Sequence, residues 1–339
     1  MRVGFNPHKD KPNEETEFTH QVIIPVYIPN HEDYFKDSFK IFKLCLESLV
    51  KTIHNKTFIS VINNGCCIEV EHFINELYNE KKIHEIIHTI NIGKLNSIVK
   101  GLVGNNIKLV TITDSDVLFL ENWQQETVKI FNAFPKAGVV GIVPQFRNFS
   151  YLCGNLLFEN FFSAKLKFTE VKNPEAMKRF LHSIWGEASY NPAYLKWNLT
   201  IESEKSTAIV GSGHFVATYR KVIFDQTQTY FEYKMGVDTE LYLDEIPLKK
   251  RLWRLTTHDN YAYHMGNFFE DWMQETLEGI GGNNTPKNQT LFKISEIKNC
   301  SKIGYFIKNR LFIKFFNKKP IRKLFYKMKG LPKDEIAKY

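Results

Sequence analysis

The sequence has few cysteines and no long apolar run, and one stretch of it has no acidic residue at all. Its five cysteines, Cys45, Cys66, Cys67, Cys153 and Cys300, make an odd count without CxxC spacing. That excludes a disulfide framework and a zinc ribbon, and it fits a reducing cytosol. No segment reaches the roughly 18 uninterrupted apolar residues of a spanning helix. Met1 to His20 is polar and lacks the apolar core of a signal peptide. Asn-x-Ser/Thr triplets such as Asn198 to Thr200 therefore have no secretory context. No internal repeat is present. The stretch without acids, Ser301 to Gly330, holds ten of the basic residues, while Leu331 to Tyr339 is balanced. Removing those ten charges from the formal +8 leaves residues 1–300 at −2. The body is nearly neutral, which argues against a protein that reads nucleic acid over its whole surface.

What is present is a folded α/β pattern. At 339 residues the chain is long enough for about two domains of roughly 150 residues each. With 43% hydrophobic residues and 28 phenylalanines it is no disordered polymer. Gln21 to Tyr27 reads as a strand buried on both faces. Phe35, Phe39, Phe42, Leu46, Leu49 and Ile53 then form one stripe of an amphipathic helix. Phe58 to Ile62 is a second strand, stopped by Asn63, Asn64 and Gly65. A helix follows over Ile68 to Asn79, then a weaker strand at His84 to Ile90 and a helix carrying Leu95, Ile98, Val99 and Leu102. Lys108 to Thr113 is a fourth strand and runs straight into Asp114, Ser115 and Asp116; a helix over Trp123 to Phe134 and a strand over Gly138 to Val143 come next. Such alternation predicts a doubly wound, Rossmann-like, mostly parallel sheet. Its ligands sit beyond the carboxyl ends of the strands, where Tyr27, Asn63, Asn64, Asp114 and Asp116 converge.

Beyond Phe146 the period is lost, and 146–206 takes no assignment. Thr207 to Tyr219 has β character around a Gly-Ser-Gly turn, Asp238 to Leu243 reads as a helix start, and Tyr261 to Met265 as a short strand. Residues 279–288 read as a linker. The domain division that follows is a polar extension over 1–20, a catalytic domain over 21–278 split into halves at 145/146, and a linker with a basic helical tail over 279–339.

Asp114 and Asp116 stand one residue apart at the end of a buried strand. Carboxylates so placed suit a hard divalent cation, which can in turn neutralise a diphosphate. VIIPVY (Val22 to Tyr27), VINNG (Val61 to Gly65), NIGK (Asn91 to Lys94), TDSD (Thr113 to Asp116), GSG (Gly211 to Gly213) and GVDTE (Gly236 to Glu240) follow in order along the chain. In that order and spacing they resemble the inverting, family 2-type bacterial glycosyltransferases of the GT-A fold, over about residues 20 to 270.

The resemblance implies a metal-dependent enzyme that moves one sugar from a nucleotide-diphospho-sugar to a hydroxyl of a glycan or lipid-linked acceptor, as in assembly of a cell-surface polysaccharide. Pro25 and Tyr27 would lie against the base and ribose, and Asn63 or Asn64 would hydrogen-bond the base. Lys94 would approach the diphosphate. Asp114 would meet the ribose or metal-bound water, and Asp114, Asp116 and His264 would hold Mn2+ or Mg2+. Asp238 would be the general base for the acceptor hydroxyl, with Glu240 in reserve or on the acceptor. The family's first acid of that motif is Val237 here, which leaves open a catalytically weak, membrane-recruited carbohydrate-binding protein.

Other readings fit less well. A nucleotidyltransferase would want a Gly-rich, Arg-containing loop where Pro25 to Pro29 reads PVYIP. In a dinucleotide fingerprint Val216 would occupy the third glycine position after Gly211 and Gly213. Processive synthases add spanning helices and a Gln-x-x-Arg-Trp motif; Arg251 to Arg254 is not that motif. Between Ile303 and Met328 basic residues alternate with apolar ones at four-residue steps, the pattern of a helix lying on an anionic membrane. A place on the inner face of the cytoplasmic membrane, with residues 301–330 as the contact and no nucleic-acid partner, is the expectation.

Overall fold

Seven consecutive buried residues, His20–Val26, form β1, whose Val, Ile and Pro side chains suit a strand covered on both faces. In the computed structural model, which describes residues 4–12, 16–186, 190–236, 240–281, 292 and 299–339, β1 lies inside a ten-stranded sheet. β2 is Thr57–Asn64, β3 Glu85–Thr89, β4 Leu109–Thr113, β5 Val117–Phe119 and β6 Ala137–Gly141. β7 is Leu166–Glu170, β8 Trp197–Glu202, β9 Thr207–Val210, β10 Val216–Arg220, β11 Trp253–Thr257 and β12 Ala262–His264. The large sheet runs β3-β2-β1-β4-β10-β6-β11-β9-β8-β7, and β12 pairs with β5 apart from it.

The first four strands of that order are mutually parallel, as their alternation with helices predicts. The connecting helices are α1 (Ser38–Thr52), α2 (Ile68–Asn79) and α3 (Lys94–Leu102). Strand order reverses at β1, with β2 on one side and β4 on the other, which opens the crevice where α/β sheets take ligands. β10 is antiparallel to both its neighbours, β4 and β6. β9 and β10, read as one β segment in sequence, do not pair with each other: the Gly211 to Phe215 loop carries the chain from the outer sheet back to its centre.

α4 (Trp123–Ala133) follows β5, and the unassigned 146–206 region supplies α5 (Gly154–Asn160), β7, α6 (Pro174–Trp185) and β8. α7 is Leu241–Lys249 and α8 Asp271–Gly279. Helix α3 starts where it does because Gly93, at φ +90°, lies against Lys234; a Cβ there would come within 2.7 Å of the Lys234 Cα. That close approach requires glycine.

The C-terminal segment is a run of helices: α9 (Lys302–Phe306), a π turn (Ile307–Leu311), α10 (Phe312–Phe316), α11 (Lys319–Met328) and α12 (Lys333–Ile336). They pack on the sheet. Phe316, Phe325, Tyr326, Leu331 and Tyr339 are buried in one core with Phe149, Phe168 and Leu199. The Tyr339 hydroxyl donates to the Trp197 carbonyl. Among the described residues no helix is long and apolar enough to cross a membrane. Because Phe325 is fully buried, Phe325→Ala is expected to cost about 3–5 kcal/mol, read by urea denaturation. A loss below 1 kcal/mol would mean that the tail contributes little to the core.

Candidate functional site

At the carboxyl ends of β1 and β4 lies a cavity of about 350 Å3, within the size range of small-ligand sites. Of the residues singled out in sequence, Pro25, Tyr27, Asn64, Lys94, Asp114 and Asp116 line it. Tyr27 is partly exposed, with its ring edge-on to Phe35 at 5.7 Å, and Tyr34 packs on the other side of Phe35. An apolar, aromatic mouth thus leads to a charged floor.

The two asparagines divide their work. Asn63 Oδ1 accepts from the Gly65 and Cys66 amides, so its side chain holds the turn. Asn64 Oδ1 accepts from the Ile92 amide. What Asn64 has left to offer a ligand in the cavity is its Nδ2 donors.

Asp116 stands in the turn between β4 and β5, and pairing of β5 with β12 brings His264 to it: Val117 is opposite His264, and the Met265 amide donates to the Asp116 carbonyl at 2.8 Å. His264 Nε2 lies 3.4 Å from Asp116 Oδ2. The Ser183 hydroxyl donates its proton to the Phe180 carbonyl. Toward His264 Nδ1, 2.9 Å away, that hydroxyl is therefore an acceptor, and Nδ1 carries the hydrogen. In the neutral ring the Nε2 lone pair then faces the carboxylate.

Two lone pairs at that distance want a proton or a cation between them. Among the described residues, Asp116 Oδ1 is also buried without a hydrogen-bond partner, and burial raises the pKa of this carboxyl. Nitrogen and oxygen ligands about 2.0–2.2 Å from a metal lie about 3.0–3.5 Å from each other. The donor set and its spacing fit a divalent cation, with His264 oriented by Ser183 in the manner of an outer-shell partner.

A chain of alternating charges runs from the floor into the protein. Lys94 Nζ lies 2.7 Å from Asp114 and 3.0 Å from Glu240. His214 joins Glu240 to Asp244, at 3.0 Å each. Arg254 closes the chain on the buried Asp244 at 2.5 Å. Burial alone would lower the Lys94 pKa, but Asp114 and Glu240 outweigh it and hold the ammonium charged. The His214 hydrogen bond, then Lys94, depresses Glu240 to about 2. Burial opposes charge on His214, yet the hydrogen bonds it donates to Asp244 and Glu240 push it up to about 9. Glu240 is thus a weak proton acceptor held between two cations. Asp238 lies outside the described residues; on either side of it in sequence, Met235 lines the cavity and Glu240 binds Lys94.

Neither a protein-family model nor a curated protein sequence matches the chain. Solved structures similar to it do exist. Residues 1–349 of TarS from S. aureus, in complex with UDP-GlcNAc, share 12% identity over 78% of this chain and 66% of that one, with a TM-score of 0.42. The mannosyltransferase PcManGT from Pyrobaculum calidifontis, in complex with GDP-Man and Mn2+, shares 12% over 74% and 59%, with a TM-score of 0.41. S. aureus TarS shares 11% over 94% of this chain and 54% of that one, with a TM-score of 0.44. This chain therefore spans between about a half and two thirds of their lengths. At such TM-scores, the chemistry of the cavity rests on its own residues.

His214, Asp244 and Arg254 were not singled out in sequence. Their one signal is the placement of His214 directly after the Gly-Ser-Gly loop, and the antiparallel register of β10 with β4 brings that loop beside Asp114.

Two predictions follow from the charge chain. Glu240 stabilises the fold above its ordinary 4.5, a contribution lost as pH falls toward 2. His214 contributes fully below 6.5, and that contribution is lost as pH rises through 9. Stability from the network therefore peaks between 4.5 and 6.5, and His214→Gln is expected to flatten the decline above it in urea titrations. An unchanged alkaline slope would remove His214 as its source. Arg254→Met, which leaves Asp244 buried against His214 alone, is expected to cost about 3 kcal/mol by the same measurement.

Proposed function

We propose that the chain is a metal-dependent glycosyltransferase that moves a single sugar from a nucleotide-diphospho-sugar to a hydroxyl of a glycan or lipid-linked acceptor, with inversion at the anomeric carbon. The observation that carries this reading is the Asp116–His264 pair, whose Asp116 lines a cavity with an aromatic mouth and has a buried carboxylate oxygen without a partner among the described residues.

Tyr27 and Pro25 supply flat apolar surface for a base and ribose, and the Asn64 amide can donate to a base edge. Lys94 supplies positive charge where a diphosphate would lie. Asp116 and His264, together with Asp114 two residues before Asp116 in sequence, would hold Mn2+ or Mg2+. When bound, the cation supplies charge that stabilises the departing diphosphate.

Asp238 is assigned as the base. It takes the proton of the acceptor hydroxyl as that oxygen forms its bond to the anomeric carbon. The bond from that carbon to the diphosphate oxygen breaks on the opposite face, and its electron pair leaves with the nucleoside diphosphate. Glu240, held by Lys94 and His214, keeps the lysine in position rather than moving a proton.

Asp116→Ala and His264→Ala are each expected to abolish Mn2+-dependent hydrolysis of nucleotide sugars, and the stabilisation by Mn2+ plus nucleoside diphosphate in thermal melts, while leaving the metal-free melt unchanged. Wild-type turnover in either variant would end the metal assignment. Asp238→Asn is expected to slow transfer by at least about a hundredfold with donor binding retained. A smaller loss in single-turnover kinetics would take the base role from Asp238.

A further inference from the structure

The basic tail offers an observation independent of the cavity. α9, the π turn and α10 run without a break from Lys302 to Phe316. One side of this helix faces the protein: Lys308 pairs with Glu159, Asn309 bonds Asn155, Phe312 meets Phe158 and Phe161, and Phe316 is buried. The other side turns large apolar groups to solvent. Ile303 is 73% exposed, Phe306 57%, Leu311 56% and Phe315 47%, with Ile307 between them.

The backbone keeps these groups in line. On an α-helix each four-residue step overshoots a full turn by about 40°, so Ile303, Ile307, Leu311 and Phe315 would wind away from one another. The π turn at Ile307–Leu311 has more residues per turn and takes back part of that drift. The stripe is straightened where it is longest.

Lys302, Arg310, Lys314, Lys318 and Lys319 are exposed beside the stripe. α11 adds exposed Leu324 and Met328 next to Lys323 and Lys327. No acid occurs between Ser301 and Gly330. A second copy of the chain would bring two such cationic faces together, and a nucleic acid would satisfy the charges but leave the apolar stripe in water. An anionic lipid surface satisfies both, because the acyl boundary takes the apolar groups and the headgroups take the cations.

We propose that the outward face of residues 302–316, helped by α11, lies in the interface of an anionic membrane. Deletion of the whole tail would not test this, because Phe316, Phe325 and Tyr339 belong to the core. Substitutions confined to the face do.

The full chain is floated with vesicles of phosphatidylcholine alone and of phosphatidylcholine with phosphatidylglycerol, without nucleotide or metal, so the outcome is independent of the proposed activity. Wild type is expected to partition at least about tenfold more strongly to the anionic vesicles. Ile307→Glu with Leu311→Glu, and separately Lys314→Glu with Lys318→Glu, are each expected to reduce that partitioning about tenfold or more, with unchanged circular dichroism and melting temperature. If one pair unfolds the protein, the other decides. Equal binding to both vesicles, no binding, or full binding by a folded variant would overturn the proposal. So would a lipid-free dimer in sedimentation that the Ile307/Leu311 pair abolishes, since the face would then belong to a second copy.

Discussion

A carboxylate and an imidazole nitrogen facing each other across 3.4 Å, both held by backbone and neither free to turn away, set the terms for the rest of the cavity. Asp116 is fixed by the β4 to β5 turn, and the Met265 amide bonds its carbonyl. His264 is fixed by β12 and by Ser183, whose proton goes to the Phe180 carbonyl. Between a carboxylate and an imidazole lone pair at this distance a proton or a cation fits. In that sense the small β5–β12 ladder matters as much to the site as the ten-stranded sheet.

The second organising element is the row of charges from Asp114 through Lys94, Glu240 and His214 to Asp244 and Arg254. Lys94, Glu240 and His214 each stand between opposite charges, which outweigh the burial that opposes their charged forms. Arg254 anchors the inner end, and its other hydrogen bonds go to the Ser212 and Tyr151 carbonyls. The row ties the loop after β9 and helix α7 to helix α3, which brings Lys94 to the cavity.

Much of the first half was legible in the sequence. β1, β2, β4 and α1 carry unbroken apolar runs or clean helical stripes, and their ends coincide with turn residues; Asp116 could be noticed because it follows such a run. The 146–206 region was opaque because its strand β7 is the sheet edge, and aromatic residues such as Phe149 and Phe168 pack on Tyr326 of the C-terminal helices rather than forming a periodic face. The charge chain was invisible for a different reason. His214, Asp244 and Arg254 meet only through the register of β10 and β11, which no local spacing encodes. The tail reads as amphipathic in sequence, but that it also closes a core through Phe325 and Tyr339 depends on partners such as Phe168 and Leu199 far back in the chain.

Lys94 is held at two points: its amide donates to the Lys234 carbonyl, and its ammonium binds Glu240. Lys94 lines the cavity with its ammonium already paired to Asp114 and Glu240, so an anion bound there would share that charge with two carboxylates.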